Sequence, residues 1–142
     1  MSIRKASAEW NGDLKGGKGT VSTESGALKN TAYSFGTRFG EDRGSNPEEL
    51  IGAAHAACFS MALANGLATA GFTPTSVKTE DRVHFEKVND KPTISKIEIF
   101  CDAVVPKIDK AAFDKIAEET RTDCPVARAL KTELVLHATL KS

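Results

Sequence analysis

The sequence predicts a single α+β domain spanning residues 1–142, and three observations carry that prediction. A run without any charged side chain extends from Leu50 to Ala70, enough for about 30 Å of helix. Behind it, SVKTEDRVHFEKV and ISKIEIFCDAVV show the two-residue pattern of strands, joined by the turn residues NDKP. IDKAAFDKIAEETR then returns to helical spacing before TELVLHATL closes the chain as a strand.

Taken in order, the first forty or so residues read as short strands and turns. SAEW runs into the turn NGD, and GKGTVSTES and ALKNTAYSF are β-prone pieces broken by Gly and Ser. GDLKGGKGT comes close to a phosphate-binding loop, with Gly12, Gly17 and Lys18 correctly spaced. It fails at Gly19, where a hydroxyl must meet the metal, and a strand-like segment follows instead of a helix. RFGEDRGS reads as a charged loop. The long helix then opens with Asn46 as N-cap, Pro47 in the first helical position and Glu49 in the third, and Gly71 stops it.

In the hairpin, Val77, Thr79, Val83 and Phe85 alternate with Lys78, Glu80, Arg82, His84 and Glu86, so one face is expected to be buried. Asp109 is the expected N-cap of the next helix, with Ala112, Phe113 and Ile116 on its apolar side. TDCPVARAL reads as a second helix start, with Pro125 in its first turn. The last strand places Leu134, Leu136, Ala138 and Leu140 on one face.

Charge and composition narrow the function classes. Lys plus Arg and Asp plus Glu both number 19, a balance that argues against a nucleic-acid or membrane-surface binder. The Leu50–Ala70 run meets the length test for a membrane span. It is mostly alanine, however, and includes Gly52, His55, Asn65 and Gly66, so a helix buried within a soluble protein is expected. MSIRKASAEWNGD has no apolar segment of the secretory type, and three cysteines suit a reducing cytoplasm better than a disulfide scaffold. No zinc-like spacing links Cys58, Cys101 or Cys124 to His55, His84 or His137, and no C-x-x-C pair of the thioredoxin type exists.

The three thiols differ in what they invite. Cys101 lies between Ile99 and Ala103 on an inward strand face, where cysteine behaves as a small hydrophobe. Cys124 stands before Pro125 at a helix N-terminus, whose N–H groups favour a thiolate, with Arg121 and Arg128 near in sequence. A plain capping role is the alternative. Cys58 sits mid-helix, where a core thiol is the default. His55 lies three residues earlier on a shared face, either as a partner in nucleophilic chemistry or simply bonded to a buried oxygen.

NPEELIGAAHAACFSMAL, the later TDCPVARAL, and the framing segments TVSTESG, TRFG and GFTP resemble the OsmC/Ohr family, and its OsmC branch in particular. The resemblance covers essentially the whole chain. It implies an α+β homodimer whose intertwined antiparallel sheets wrap two long central helices. It also implies a thiol-dependent peroxidase that reduces organic hydroperoxides, and hydrogen peroxide less well, in oxidative or osmotic stress defence. Cys58 then matches the peroxidatic cysteine, Cys124 the resolving cysteine, Arg38 the arginine that holds the thiolate, and Glu48 the carboxylate behind that arginine. No metal or flavin is implied, and the reductant is an external dithiol such as protein-bound dihydrolipoamide. The contrasting reading is a non-catalytic dimeric stress-response or small-ligand-binding domain.

Two refinements come from the residues themselves. Glu48 and Cys58 are ten residues apart, about 15 Å along one helix, so an active site shared between two subunits is expected. Glu49, at the third helical position, suits a reach back to the N-cap amide, leaving Glu48 for the arginine. Arg43, in the same loop as Arg38, is the competing cation.

Overall fold

The computed structural model describes residues 1–141. They form two compact units, one up to Leu50 and one from Ile51 onward.

The first unit is a three-stranded antiparallel sheet in the order β1-β2-β3, made of Ala6–Asn11, Lys18–Thr23 and Thr31–Tyr33. Its first hairpin contains the glycines that imitate a phosphate loop. Asp13 receives the amides of Gly16 and Gly17, and the Trp10 indole N–H lies against the Gly12 and Asp13 carbonyls. A side chain at Gly17 would stand 2.4 Å from the Asp13 carbonyl, so its glycine serves the turn. Strand follows that turn directly, as expected of a hairpin.

After β3, the segment read as a charged loop begins with a short helix, α1 (Phe35–Phe39). Ser34 and Thr37 cap it reciprocally: the Thr37 amide donates to Ser34 Oγ (3.3 Å), and the Ser34 amide to Thr37 Oγ1 (2.9 Å). That exchange satisfies two otherwise unpaired donors, which is why so short a helix forms. Arg38 therefore sits in a helical turn and not in an open loop.

α2 (Pro47–Thr69) starts as the sequence signals it should. Asn46 Oδ1 accepts the Glu49 amide at 2.7 Å, while its Nδ2 donates to the Thr37 carbonyl at 3.1 Å, tying α1 to the first turn of α2. Glu49 is exposed, and among the described residues its carboxylate makes no bond back to Asn46; it is the Asn46 side chain that caps the Glu49 amide. At the other end Gly71, at φ +97°, lets the Phe72 amide reach the Leu67 carbonyl and its own amide reach that of Ala68. This double closure is a Schellman stop.

The second unit packs α2 and two further helices on a mixed sheet. β4 (Ser76–Val88) and β5 (Lys91–Val104) are antiparallel across a two-residue turn, Asn89–Asp90, both residues at positive φ. Ile94 and Ile97 both pack into the core, which a period of two forbids without an inserted residue. The register slips between His84 and Phe85, leaving Ser95 as that insertion. β6 (Glu133–Lys141) pairs parallel to β5. A parallel neighbour needs a long crossover, supplied here by α3 (Lys110–Asp123) and α4 (Pro125–Ala129). Asp109 caps α3 by accepting the Ala112 amide.

The core joins Phe59, Leu63 and Leu67 of α2 to Ile97, Ile99 and Ala103 of β5 and Phe113 of α3, with the closing-strand leucines packed around them. Cys101 lies among these groups, 1% exposed, in the core position expected for it. Burial first, and then the Asp102 charge, hold its thiol above the ordinary 9.0, while the Thr79 hydroxyl pulls the other way. On the outer face of the sheet, Glu98 takes His84 on one oxygen (2.7 Å) and His137 on the other (3.2 Å), linking all three strands.

One expectation changes. α2 is long and apolar enough to cross a membrane by length and composition, yet within this chain only one stripe of it is buried. His55, Phe59, Leu63 and Leu67, each 0% exposed, recur every four residues, whereas Met61 is 77% exposed. The helix is apolar all round because two different faces are apolar, and the sheet takes only one.

Replacing Gly71 by alanine adds a side chain in open space but at positive φ. The substitution should cost about 1 kcal/mol or more of unfolding free energy, read from urea titrations, with the fold retained.

Candidate active site

The residues with chemical promise fall into three groups, one in the first unit and two in the second. In the first unit, Glu48 occupies the second position of α2 and is 6% exposed. A carboxylate removed from water needs charged or polar donors. Arg38 supplies two, Nε at 3.0 Å and Nη2 at 2.8 Å, both to Glu48 Oε1. Asn46 makes this meeting possible, since it joins the turn that carries Arg38 to the turn that carries Glu48. The guanidinium also lies over the Phe39 ring, 5.4 Å from its centre, and its side chain is 37% exposed. Glu48 Oε2 is buried without a hydrogen-bond partner. Arg43, the competing cation in the sequence, is exposed and among the described residues pairs with no carboxylate.

In the second unit, Cys58 and Cys124, 66 positions apart in sequence, lie near each other. Cys58 lies near enough to raise the Cys124 thiol, and both are free thiols. Cys58 is partly exposed and Cys124 is 1% exposed. Cys124 is at once the C-cap of α3 and the N-cap of α4. Its amide donates to Thr120, its carbonyl accepts the Arg128 amide, and its Sγ accepts the Ala127 amide at 3.4 Å. Pro125 fits the first position of α4 because it has no N–H to leave unpaired.

The electrostatics of Cys124 differ from the sequence expectation. The Ala127 and Val126 amides do favour its thiolate, but burial outweighs them, and the neighbouring Cys58 adds to burial. The thiol is held above its ordinary value. Neither nearby arginine reverses this. Arg121 is engaged by Glu118 and the Leu134 carbonyl, and Arg128 is exposed.

The third group was not legible as a site. His55 Nδ1 hydrogen-bonds Asp81 Oδ2, with side chains 0% and 1% exposed. The structure gives His55 a buried oxygen, as one of its two sequence readings expects. Asp81 could have been found by parity, since it shares the inward face of β4 with Val77, Thr79 and Val83. Among the described residues no cluster of His, Cys, Asp and Glu could hold a metal ion.

Comparison with known proteins places this geometry in context. The model of the family described as OsmC-like protein matches residues 40–138. Peroxiredoxin OsmC of Escherichia coli (strain K12) is 52% identical over 139 residues, covering 98% of this chain and 97% of that protein. The Shigella flexneri protein of the same name matches equally. Among solved structures, an OsmC-like protein of unknown function from Vibrio cholerae has a TM-score of 0.76 at 16% identity, covering 98% of this chain and all of that one. The organic hydroperoxide resistance protein OhrB of Bacillus subtilis has a TM-score of 0.68 at 19% identity, covering 96% and 98%. At those identities the structures speak to fold alone; the family match and the 52% relatives go further. The chain belongs to the OsmC family.

Proposed function

We propose that the chain is a thiol-dependent peroxidase that reduces organic hydroperoxides to alcohols, and hydrogen peroxide less well, in cytoplasmic defence against oxidative or osmotic stress. The observation that carries this reading is the proximity of two free thiols, with Cys58 close enough to act on the buried Cys124. Two thiols that can reach each other are what a cysteine peroxidase requires, one to take the peroxide oxygen and one to resolve the sulfenic acid. The name of the 52% identical relatives, Peroxiredoxin OsmC, supports the same chemistry.

In the proposed reaction the Cys58 thiolate attacks the outer peroxide oxygen. An S–O bond forms, the O–O bond breaks and an alkoxide leaves, to be protonated to the alcohol. Cys124 then displaces water from the Cys58 sulfenic acid, closing a disulfide. An external dithiol, protein-bound dihydrolipoamide or a compound like it, returns both sulfurs to thiols by exchange. No metal or flavin takes part. Arg38 holds the negative charge at Cys58, and Glu48 fixes Arg38, which supports assigning this role to Arg38 over Arg43. The apolar faces of α2 suit the carbon chain of an alkyl or lipid hydroperoxide, because burying it is favourable.

The active unit is a homodimer with each site shared between subunits. Support comes from α2, whose second apolar face, bearing Met61, is uncovered in the single chain. Full specific activity in a stable monomer would overturn the shared site.

Mass spectrometry after one equivalent of cumene hydroperoxide should find a Cys58–Cys124 disulfide. Cys58→Ser should reduce turnover to background, while Cys101→Ser should turn over normally. Retained turnover in the first variant would reject the mechanism.

Arg38→Ala should slow the peroxide step by about a hundredfold, the scale for losing one preorganised charge contact, and Arg43→Ala should leave it unchanged. Wild-type kinetics in Arg38→Ala would remove that residue from the site.

Disulfide closure should accelerate with rising pH through and beyond the ordinary thiol range, because burial keeps Cys124 protonated and the thiolate is the attacking form. Rapid-mixing measurements of sulfenic acid lifetime test this, and a closure rate flat from pH 7 to 10 would contradict it.

A further inference from the structure

Among the described residues, the buried faces of the second unit hold one ionisable pair that the reaction just described does not use. His55 lies in the α2 stripe otherwise occupied by Phe59, Leu63 and Leu67, and Asp81 lies among the inward residues of β4. Their approach is built into the sequence. Gly52, one turn before His55, presents no side chain, and a Cβ there would stand 3.1 Å from Val83 and 3.8 Å from Asp81. The strand can therefore come close enough for the carboxylate to reach the ring.

Such a pair is expensive as a means of holding a helix to a sheet. Apolar residues of similar volume would serve as well or better, since desolvating two polar groups offsets what their contact returns. The arrangement also leaves something over. With Nδ1 bonded to Asp81, His55 keeps Nε2, which is buried and has no hydrogen-bond partner. An Nδ1–H held by a carboxylate fixes the tautomer in which Nε2 carries a lone pair. His55 is also three residues before Cys58, so the two side chains are neighbours on the helix surface. Across the core-facing residues of β4, β5, β6, α3 and α4, the titratable side chains are Asp81, Cys101 and Cys124. Within this unit's core, a basic nitrogen is thus offered by His55.

We propose that His55 is the proton acceptor for Cys58 and that Asp81 is a positioning residue acting through it. The inference rests on the peroxidase reading of Cys58. Nε2, which has no hydrogen-bond partner among the described residues, takes the proton from the Cys58 thiol once side-chain rotation brings the two within reach. This gives thiolate and an imidazolium paired with Asp81. The thiolate attacks the outer oxygen of the hydroperoxide, forming S–O and breaking O–O. The departing alkoxide takes the proton from Nε2–H. The sum is thiol plus hydroperoxide giving sulfenic acid plus alcohol, with His55 restored.

Alkylation by iodoacetamide, located on Cys58 by mass spectrometry, tests the dyad without using peroxide. Asp81→Asn and His55→Gln should each alkylate at Cys58 at least tenfold more slowly at pH 7. Their pH–rate profiles should lie to the alkaline side of wild type, with circular dichroism unchanged. A folded variant of either kind with the wild-type rate and profile would overturn the proposal. Should both variants fail to fold, ¹⁵N-histidine spectra of the wild type decide. The expected result is an Nε2 without a proton in the reduced protein, whose signal shifts when Cys58 is alkylated; a protonated Nε2 overturns it. Rapid alkylation of Cys58 in a wild type that reduces no hydroperoxide would reject the peroxidase reading and leave the dyad standing.

Discussion

Cys124 ends one helix and begins the next, and the chemistry proposed for this chain depends on that shared cap. A residue in both roles has its amide, carbonyl and side chain committed at once, to Thr120, Arg128 and Ala127. Its sulfur consequently has little freedom. Cys58 is fixed independently, because the buried stripe of α2 sets the rotation of that helix against the sheet. Two separately fixed placements, with the thiols close enough to influence one another, are well suited to forming a bond. They do limit ionisation, since the position that fixes Cys124 also buries it, and burial prevails over the two amides that favour its thiolate. The proposed division of labour follows: a partly exposed sulfur meets the peroxide, and a buried one acts second.

Polar groups elsewhere in the fold obey the same accounting of partners. Glu48 is buried, and one of its oxygens is met by two donors of Arg38. His55 and Asp81 are buried and meet each other. In each case a second polar atom remains unmatched: Glu48 Oε2, His55 Nε2 and Asp81 Oδ1. Most buried polar atoms in folded proteins find partners, so three such exceptions on neighbours of the proposed chemistry carry information that a satisfied network would not.

Much of this was readable beforehand, and the reasons are local. Caps are written in adjacent residues, so Asn46, Asp109 and Gly71 announced their helix ends. Alternation fixed the inward faces of the hairpin and the closing strand. Three features escaped because their causes lie elsewhere. α1 was hidden in a segment rich in charge and glycine, although Ser34 and Thr37 carry a capping pattern. The parallel pairing of β6 is decided by the crossover and leaves no mark on the strand. Asp81 does not announce itself, because a carboxylate in a strand is ordinarily outward, and only its distant partner His55 makes the inward position tolerable. As for the site, family resemblance singled out Arg38, Glu48, Cys58 and Cys124, whereas their spacing alone would have left Cys58 as a core residue.

The remaining face of α2 gives the strongest physical argument for the proposed homodimer. Ala54, Ala57, Met61, Asn65 and Ala68 are exposed at spacings of three and four, the seam along which one helix receives another. The three alanines among them allow two helix axes to come close. A monomer that left this seam in water would expose Met61, whose burial is worth about 1.5–3 kcal/mol, beside several alanines. The sheet cannot cover it, because the sheet already holds the stripe of His55, Phe59, Leu63 and Leu67. A helix apolar on two faces with one partner in its own chain is best completed by a second copy, whose α2 presents the same seam. Cys58 lies between the two faces of that helix, partly exposed now. Closing the seam would draw its sulfur out of bulk water, and a thiolate deprived of water then depends on a fixed cation, the role proposed for Arg38.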